Sequence, residues 1–227
     1  MTLCNGVTQD INNGVSNNGG AIFVSQGANL VVENVAFINN TAITNPTTNN
    51  YGQGGAIFSN GNVTIKEGSK FINNTANCGG ALYTYGDLDV TGAEFTKNTV
   101  NYPDQSVAGA IFACGDNNKV TIKGSSFKDN YAEFETGAVK LSVKEATISS
   151  TNFTNNKANT LQAGAVYVVK DCNLTVKNCK FINNTAVDGG AIFASYAGKL
   201  DISDSKFINN TANRTGGAVY NQLSATE

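Results

Sequence analysis

A short motif, Gly-Ala followed by an aliphatic residue, recurs eight times along this chain and constrains its fold more than any other feature. The spacings between successive glycines are 35, 25, 29, 28, 27, 26 and 27 residues. A repeat of this length is typical of proteins in which each unit packs only against its neighbours. The motif glycines are Gly20, Gly55, Gly80, Gly109, Gly137, Gly164, Gly190 and Gly217.

Two more elements recur between these motifs. Each of the seven intervals holds a Phe with an Asn three positions later, and the stretch before the Phe alternates, as in Val63-Thr64-Ile65. Alternation with a period of two predicts a half-buried strand, and no window has helical periodicity. Because a unit of about 27 residues with three short strands cannot bury its apolar face alone, we predict an all-β parallel β-helix of about eight coils. The single domain covers residues 1–227, with coils beginning near residues 19, 54, 79, 108, 136, 163, 189 and 216.

Two columns of residues are predicted to lie inside the coils. The Phe column forms a stack of core rings, and the invariant Asn column forms a buried ladder of side-chain amides that bond from coil to coil. Strict alternation would place the Asn outside, so a bend is expected between Phe and Asn. The core stack comprises Phe37, Phe71, Phe95, Phe127, Phe153, Phe181 and Phe207. The ladder comprises Asn40, Asn74, Asn98, Asn130, Asn156, Asn184 and Asn210.

A third column, one residue beyond the aliphatic residue, is predicted to face solvent. It holds three tyrosines and Lys140, which suit a surface better than a core. Its aromatic members are a candidate binding stripe for sugar rings or a partner protein, and the alternative is packing across neighbouring strands. The stripe comprises Phe23, Phe58, Tyr83, Phe112, Tyr167, Phe193 and Tyr220.

A fourth column, two residues after each Phe, includes Lys97 and Asp129 and is also predicted to face solvent. Four of its asparagines begin Asn-Asn-Thr sequons and are candidate glycosylation sites. The alternative is chance, because a chain with 34 asparagines produces sequons freely. The four candidates are Asn39, Asn73, Asn183 and Asn209.

Composition excludes several classes of function. The chain has no histidine, a net charge of −2 and a pI near 5.2, so we expect no imidazole chemistry and no nucleic-acid partner. No apolar run is long enough for a membrane-spanning helix, and the first residues lack the pattern of a secretory signal. The five cysteines lack metal-site spacing and are read as incidental thiols, and no metal or cofactor is expected.

No catalytic constellation emerges from the charged residues. Asp89 and Asp201 fall four coils apart, about 19 Å at strand spacing, which is too far for paired carboxylates. Glu133, Glu135 and Glu145, with Lys140 and Lys144 nearby, are interpreted as a solvated, salt-bridged face. Arg214 lies in the last turn without an acidic neighbour in the sequence. We therefore predict a non-enzymatic protein, with a polysaccharide lyase or hydrolase as a minor alternative.

Two insertions interrupt the repeat. They are Ile43–Gln53, with Pro46, and Thr99–Val107, with Pro103, and both fall between an Asn turn and the next Gly-Ala motif. Repeat proteins often place binding loops on one edge in this way. The alternative is that both are tolerated insertions without a partner.

The Gly-Gly-Ala-Ile motif (19–22, 54–57 and 189–192) and the Phe-x-x-Asn motif resemble the repeats of the polymorphic outer-membrane proteins of chlamydiae. The resemblance covers residues 19–220, and the form Phe-Ile-Asn-Asn-Thr-Ala is also similar to adhesin-like surface proteins of methanogenic archaea. It implies a right-handed β-helix, an extracellular or cell-surface location and a structural, adhesin-like role.

The leading hypothesis is therefore a surface module that binds glycans or partner proteins. The alternative is a subunit that stacks end to end with copies of itself into a filament, because uncapped strand edges can pair with another chain. The last coil begins at Gly216 and stops unfinished, which predicts either a piece of a longer chain or an end completed by a neighbouring copy.

Overall fold

The computed structural model of the protein describes residues 1–9, 17–43, 51–102 and 107–222. All paired strands within these residues are parallel, and equivalent positions of successive coils pair with each other. Ile22 pairs with Ile57, for example, and Phe37 pairs with Phe71. The chain is thus a parallel β-helix, as predicted. No helix that could cross a membrane occurs among the described residues.

Each of the complete coils fills four strand positions, so the structure adds one segment to the three predicted. The first strands are Ile22–Val24, Ile57–Ser59, Leu82–Thr84, Ile111–Lys123, Val139–Ser149, Val166–Val168, Ile192–Ser195 and Val219–Gln222. The second strands are Asn29–Val32, Asn62–Ile65, Leu88–Thr91, Asn173–Lys177 and Lys199–Ser203, while Ile111–Lys123 and Val139–Ser149 continue through this position. The third strands are Thr2–Cys4, Ala36–Ile38, Lys70–Ile72, Glu94–Thr96, Ser126–Lys128, Asn152–Thr154, Lys180–Ile182 and Lys206–Ile208. The fourth strands are Val7–Gln9, Thr41–Ile43, Thr75–Ala76, Thr99–Val100, Tyr131–Ala132, Lys157–Ala158, Thr185–Asp188 and Thr211–Thr215.

We number the coils 1 to 8 by these first strands, from Ile22–Val24 to Val219–Gln222. Eight strands joined in one column make seven complete turns, slightly fewer than the eight coils predicted. The added fourth strand is only two residues long in four of the coils. A segment that short carries no readable alternation, which is why the sequence pattern did not indicate it.

The core is built from identical positions of successive coils. The aliphatic residues of the first strands are fully buried from Ile57 in coil 2 to Ile192 in coil 7. The Phe rings of the third strands are fully buried from Phe37 to Phe181, whereas Phe207 is half-buried. Neighbouring rings lie 4.6–4.9 Å apart between centroids and are tilted by only 1–10°.

The glycine before the Ala of the motif is required by a close approach of backbones. A Cβ atom on Gly109 would lie 2.2 Å from the carbonyl oxygen of Gly137 and 2.7 Å from that of Tyr131. Tyr131 belongs to the fourth strand of the same coil, so the coil is flattened where its first and fourth strands meet. No side chain fits there, and the same close approach at the motif glycines from Gly20 to Gly190 explains why these coils keep glycine.

The first nine residues form a further, degenerate unit of the repeat. Leu3 pairs with Phe37, Asn5 adopts a positive φ of 55°, and the amide of Gly6 donates to Asn40. These three residues occupy the positions of the core Phe, the bend and the ladder Asn. The motif does not reveal this unit in the sequence, because Leu and Gly replace both residues that mark it.

Candidate functional site

The seven ladder asparagines form one continuous column of hydrogen bonds. In the middle of the column, Asn130 Nδ2 donates to Asn156 Oδ1 at 3.0 Å and to the carbonyl oxygen of Phe95 at 3.0 Å. Its Oδ1 accepts from the backbone amide and from Nδ2 of Asn98, both at 3.0 Å. All four hydrogen-bonding positions of the amide are therefore used. Aspartate lacks the donors for this role, which explains the exclusive use of asparagine.

The expected bend between Phe and ladder Asn is a single residue in the left-handed region. Its φ is 51–56° in all seven coils that carry the Phe motif, and the residue is Asn in five of them. Asparagine tolerates this conformation better than most other residues, which accounts for part of the high asparagine content. The positions are Asn39, Asn73, Lys97, Asp129, Asn155, Asn183 and Asn209.

The four candidate glycosylation asparagines belong to this bend column, and all four are exposed. Two of their side-chain amides form hydrogen bonds between neighbouring coils. Asn73 donates to Asn39 at 2.8 Å, and Asn183 donates to Asn155 at 3.3 Å. Their modification stays a prediction.

The outer aromatic stripe is less exposed than predicted. Phe58, Tyr83 and Phe193 are buried, and Phe112, Tyr167 and Tyr220 are half-buried. Only Phe23, at 50% exposure, presents a largely open ring. Tyr85, which is not a member of the stripe, covers part of it, since its ring packs against both Phe58 and Tyr83. As a whole, the stripe is therefore not an open face for a ligand.

Lys140 completes this stripe in coil 5. Its Nζ lies 5.3 Å from the ring centroid of Phe112 and 5.0 Å from that of Tyr167, and it forms an ion pair with Glu135. The side chains of Lys140 and Glu135 are only 14% and 15% exposed. The predicted salt bridge is therefore present, but the prediction that it is solvated is wrong for this pair, because Lys140 lies between two aromatic rings and both side chains are largely buried.

The remaining acidic residues of that group do not converge. Glu133 accepts hydrogen bonds from Tyr131 and Asn159, whereas Glu145 pairs with Lys119 at 3.0 Å. The hydrogen bond from Tyr131 is the main cause that lowers the pKa of Glu133. Asp89 and Asp201 lie in coils 3 and 7 of one strand column, four steps apart. None of these carboxylates is placed beside another for acid–base work.

Arg214 has an acidic partner, contrary to the prediction. Its guanidinium binds both carboxylate oxygens of Asp188, which also accepts from the hydroxyl of Thr215. The hydrogen bond from Arg214 is the main cause that holds the pKa of Asp188 below its usual range. The two residues are 26 positions apart, one coil, so only an alignment of the repeats could have paired them.

The five cysteines are free thiols. Cys172 and Cys179 are buried in the core, and burial raises the pKa of the Cys172 thiol to about 11. Thiols of this kind are poor nucleophiles at neutral pH. Within the described residues, no three His, Cys, Asp or Glu side chains come close enough together to hold a metal ion.

The two insertions lie partly outside the described residues, and so do Pro46 and Pro103. Their described flanks meet at one place, where the rings of Tyr51 and Tyr102 are 6.3 Å apart and nearly perpendicular. A shallow groove of about 250 Å³ beside Tyr102 is lined by residues of two fourth strands, among them Ile43 and Ala76.

A polar cavity of about 360 Å³ opens at the edge of the rod where first strands turn into second strands. It spans three coils and is lined by Asp116, Asn117, Ser142, Val143, Lys144, Lys170 and Asp171. No sequence motif indicates this cavity, because it arises from differences in turn length between coils.

The chain was compared with known proteins. A model described as a right handed beta helix region matches residues 77–226, and a model of the Chlamydia polymorphic membrane protein repeat matches residues 34–60 and 68–85. The second match confirms the resemblance that the motifs indicate.

Among curated proteins, the chain is similar to a probable autotransporter, YfaL, of Escherichia coli (strain K12), with 37% identity over 145 residues. That match covers 57% of this chain and 11% of the relative, so the chain corresponds to a small part of the relative's length. No solved structure matches the chain significantly.

Proposed function

Because the chain belongs to the right-handed β-helix family, we propose that it is a surface-displayed, non-enzymatic module that binds glycans or partner proteins. The similarity to part of a probable autotransporter carries this proposal. Support also comes from the chemistry of the chain, where Glu133, Glu135 and Glu145 are paired with different partners and no histidine is present to serve as the base of a thiol nucleophile.

The architecture suits such a role. A rod stabilised by columns of identical contacts is rigid along its axis, and it leaves its turns free to vary without disturbing the core. Exposed aromatic side chains, which suit recognition of sugars and proteins, occur at several turns, including Tyr85, Tyr102 and Tyr196. End-to-end stacking of copies stays a prediction.

Surface display is tested with an antiserum raised against the purified chain. We expect the antiserum to label intact cells of the source organism. Treatment of the intact cells with a protease should remove this labelling. Labelling that appears only after the cells are permeabilised would contradict the proposal. Binding is tested separately, by screening the purified chain on arrays of glycans and extracellular proteins.

A further inference from the structure

The cavity at the turn edge is formed by a coil that is shorter than its neighbours. In coil 4, three residues between Gly115 and Lys119 stand opposite the single residue Lys144 of coil 5. In coil 6, the four residues 169–172 stand opposite the three residues 142–144. The turn of coil 5 is thus recessed between two longer turns, and the cavity lies over it.

The longer turn of coil 4 is held in place by its own hydrogen bonds. Asn118 Nδ2 donates to the carbonyl oxygen of Cys114 at 3.0 Å and also to that of Tyr85 in coil 3. The amide of Lys119 donates to Asp87 of coil 3 at 2.8 Å. The wall on this side is therefore fixed before any ligand arrives, which reduces the entropy lost on binding.

The lining is polar and balanced in charge. Asp116 and Asp171 carry two negative charges, and Lys144 and Lys170 carry two positive charges. Carboxylate, ammonium, amide and hydroxyl groups together supply both donors and acceptors. A strongly charged ligand would meet like charges here, whereas an uncharged ligand rich in hydroxyl groups would find partners for both its O–H groups and its oxygens.

Two exposed tyrosines lie at the same edge in the flanking coils. Tyr85, in coil 3, is 45% exposed, and its ring is held by contacts with Phe58 and Tyr83. Tyr196, in coil 7, is 40% exposed, and its carbonyl oxygen accepts from the amide of Asp171 in the cavity wall at 3.1 Å. Four coil steps separate the tyrosines, about 19 Å at strand spacing, with the cavity between them.

We propose that this edge, which we call the turn-edge site, binds an uncharged oligosaccharide that lies along the rod axis. Tyr85 and Tyr196 stack on sugar rings at the two ends, and the side chains of Asp116, Lys144, Lys170 and Asp171 bond to hydroxyl groups between them. This inference rests on the proposed function and assigns the glycan to one surface.

The test uses a panel of uncharged tetrasaccharides of glucose, mannose, galactose and xylose, with oligogalacturonate as the charged comparison. Binding is measured by titration calorimetry on the whole chain. We expect an uncharged member to bind and Tyr85→Ala or Tyr196→Ala to weaken it about tenfold each, in line with the loss of one stacked ring. Phe23→Ala, which removes an exposed ring of the stripe in coil 1, is the matched control and leaves the affinity unchanged.

Because Tyr85 also packs on other rings, Tyr85→Ala could disturb the fold as well as the site. The double variant Lys144→Ala/Lys170→Ala is therefore a second test of binding, at residues that are exposed and lie outside the core. It is expected to weaken binding at an unchanged unfolding midpoint. Binding that survives these variants but is lost in Phe23→Ala would overturn the turn-edge site and leave glycan binding intact. An absence of binding to every member of the panel would overturn the inference and also count against the glycan-binding part of the proposed function.

Discussion

Two aromatic columns run along this rod, one inside and one outside, and they pack differently. The inner Phe rings are stacked nearly parallel to one another from coil to coil, with tilts of 1–10°. In the outer stripe, rings are tilted by 22–25° near coil 2 and stand at 66–71° from coil 3 onward, with Lys140 inserted in coil 5. Both columns follow the same repeat, so the spacing of the coils does not cause the difference.

Confinement of the inner rings explains this difference in packing. Inside, each ring from Phe37 to Phe181 is fully buried, so one shape and one orientation fit, and the residue is always Phe in the seven motif-bearing coils. Outside, a ring has room to rotate toward the edge-to-face arrangement that its quadrupole favours, and Phe, Tyr and even Lys are accepted. Of the two aromatic columns, the inner one is therefore uniform in composition, whereas the outer one is mixed even though its members are largely covered.

The largest expected effect comes from opening the inner column. Phe127→Ala removes a fully buried ring between two stacked neighbours, and we expect a loss of about 3–5 kcal/mol in the free energy of unfolding. Phe112→Ala in the same coil of the outer column is the matched variant, with an expected loss of about 1–2 kcal/mol because the ring is only half-buried. Urea unfolding of both variants measures the losses, and equal values would contradict the inner–outer distinction.

The next effect concerns the two asparagine columns. Asn130→Ala leaves the backbone amide and Nδ2 of buried Asn98 without their acceptor, and we expect a loss of about 2–4 kcal/mol. Asn155→Ala, at the exposed bend of the next coil, is expected to cost about 1–2 kcal/mol, mainly because alanine is strained at the positive φ of this position. The comparison uses the same residue type and the same unfolding assay, and a costlier Asn155→Ala would show that the ladder is not the stabilising column.

A smaller effect is expected at the charged member of the outer column. Lys140→Met keeps an apolar stem between the two rings but leaves Glu135 without its ion pair, with an expected loss of about 1–3 kcal/mol at neutral pH. Adding Glu135→Gln to this variant should restore most of the loss, since no unpaired charge then remains. A double-mutant cycle measures the coupling, and additive losses would contradict it.

Much of the fold could be predicted because the pairing rule is simple. In a parallel β-helix each position meets its own equivalent one coil away, so the period places Phe71 on Phe37 and Asn74 on Asn40 without further information. The bend before the ladder also followed, since the alternation placed the Asn on the wrong face. The fourth strand and the degenerate unit around Leu3 did not follow, because neither carries the motif residues.

Less of the candidate surface could be predicted. The burial of Phe58 and Tyr83 depends on Tyr85, which lies outside the repeated positions. The turn-edge cavity depends on the different lengths of three successive turns. Such features arise where the repeat is broken, and the pattern of the repeat contains no information about them.

We infer that the stability of the protein resides in the inner columns, whereas the turns are free to vary. Amide hydrogen exchange of the native chain, followed by mass spectrometry, tests this claim most directly. We predict slow exchange for peptides that contain the third strands Lys70–Ile72, Glu94–Thr96, Ser126–Lys128 and Asn152–Thr154, and fast exchange at residues 116–117 and 170. Equal exchange of third strands and turns, or slower exchange at the turns, would contradict it.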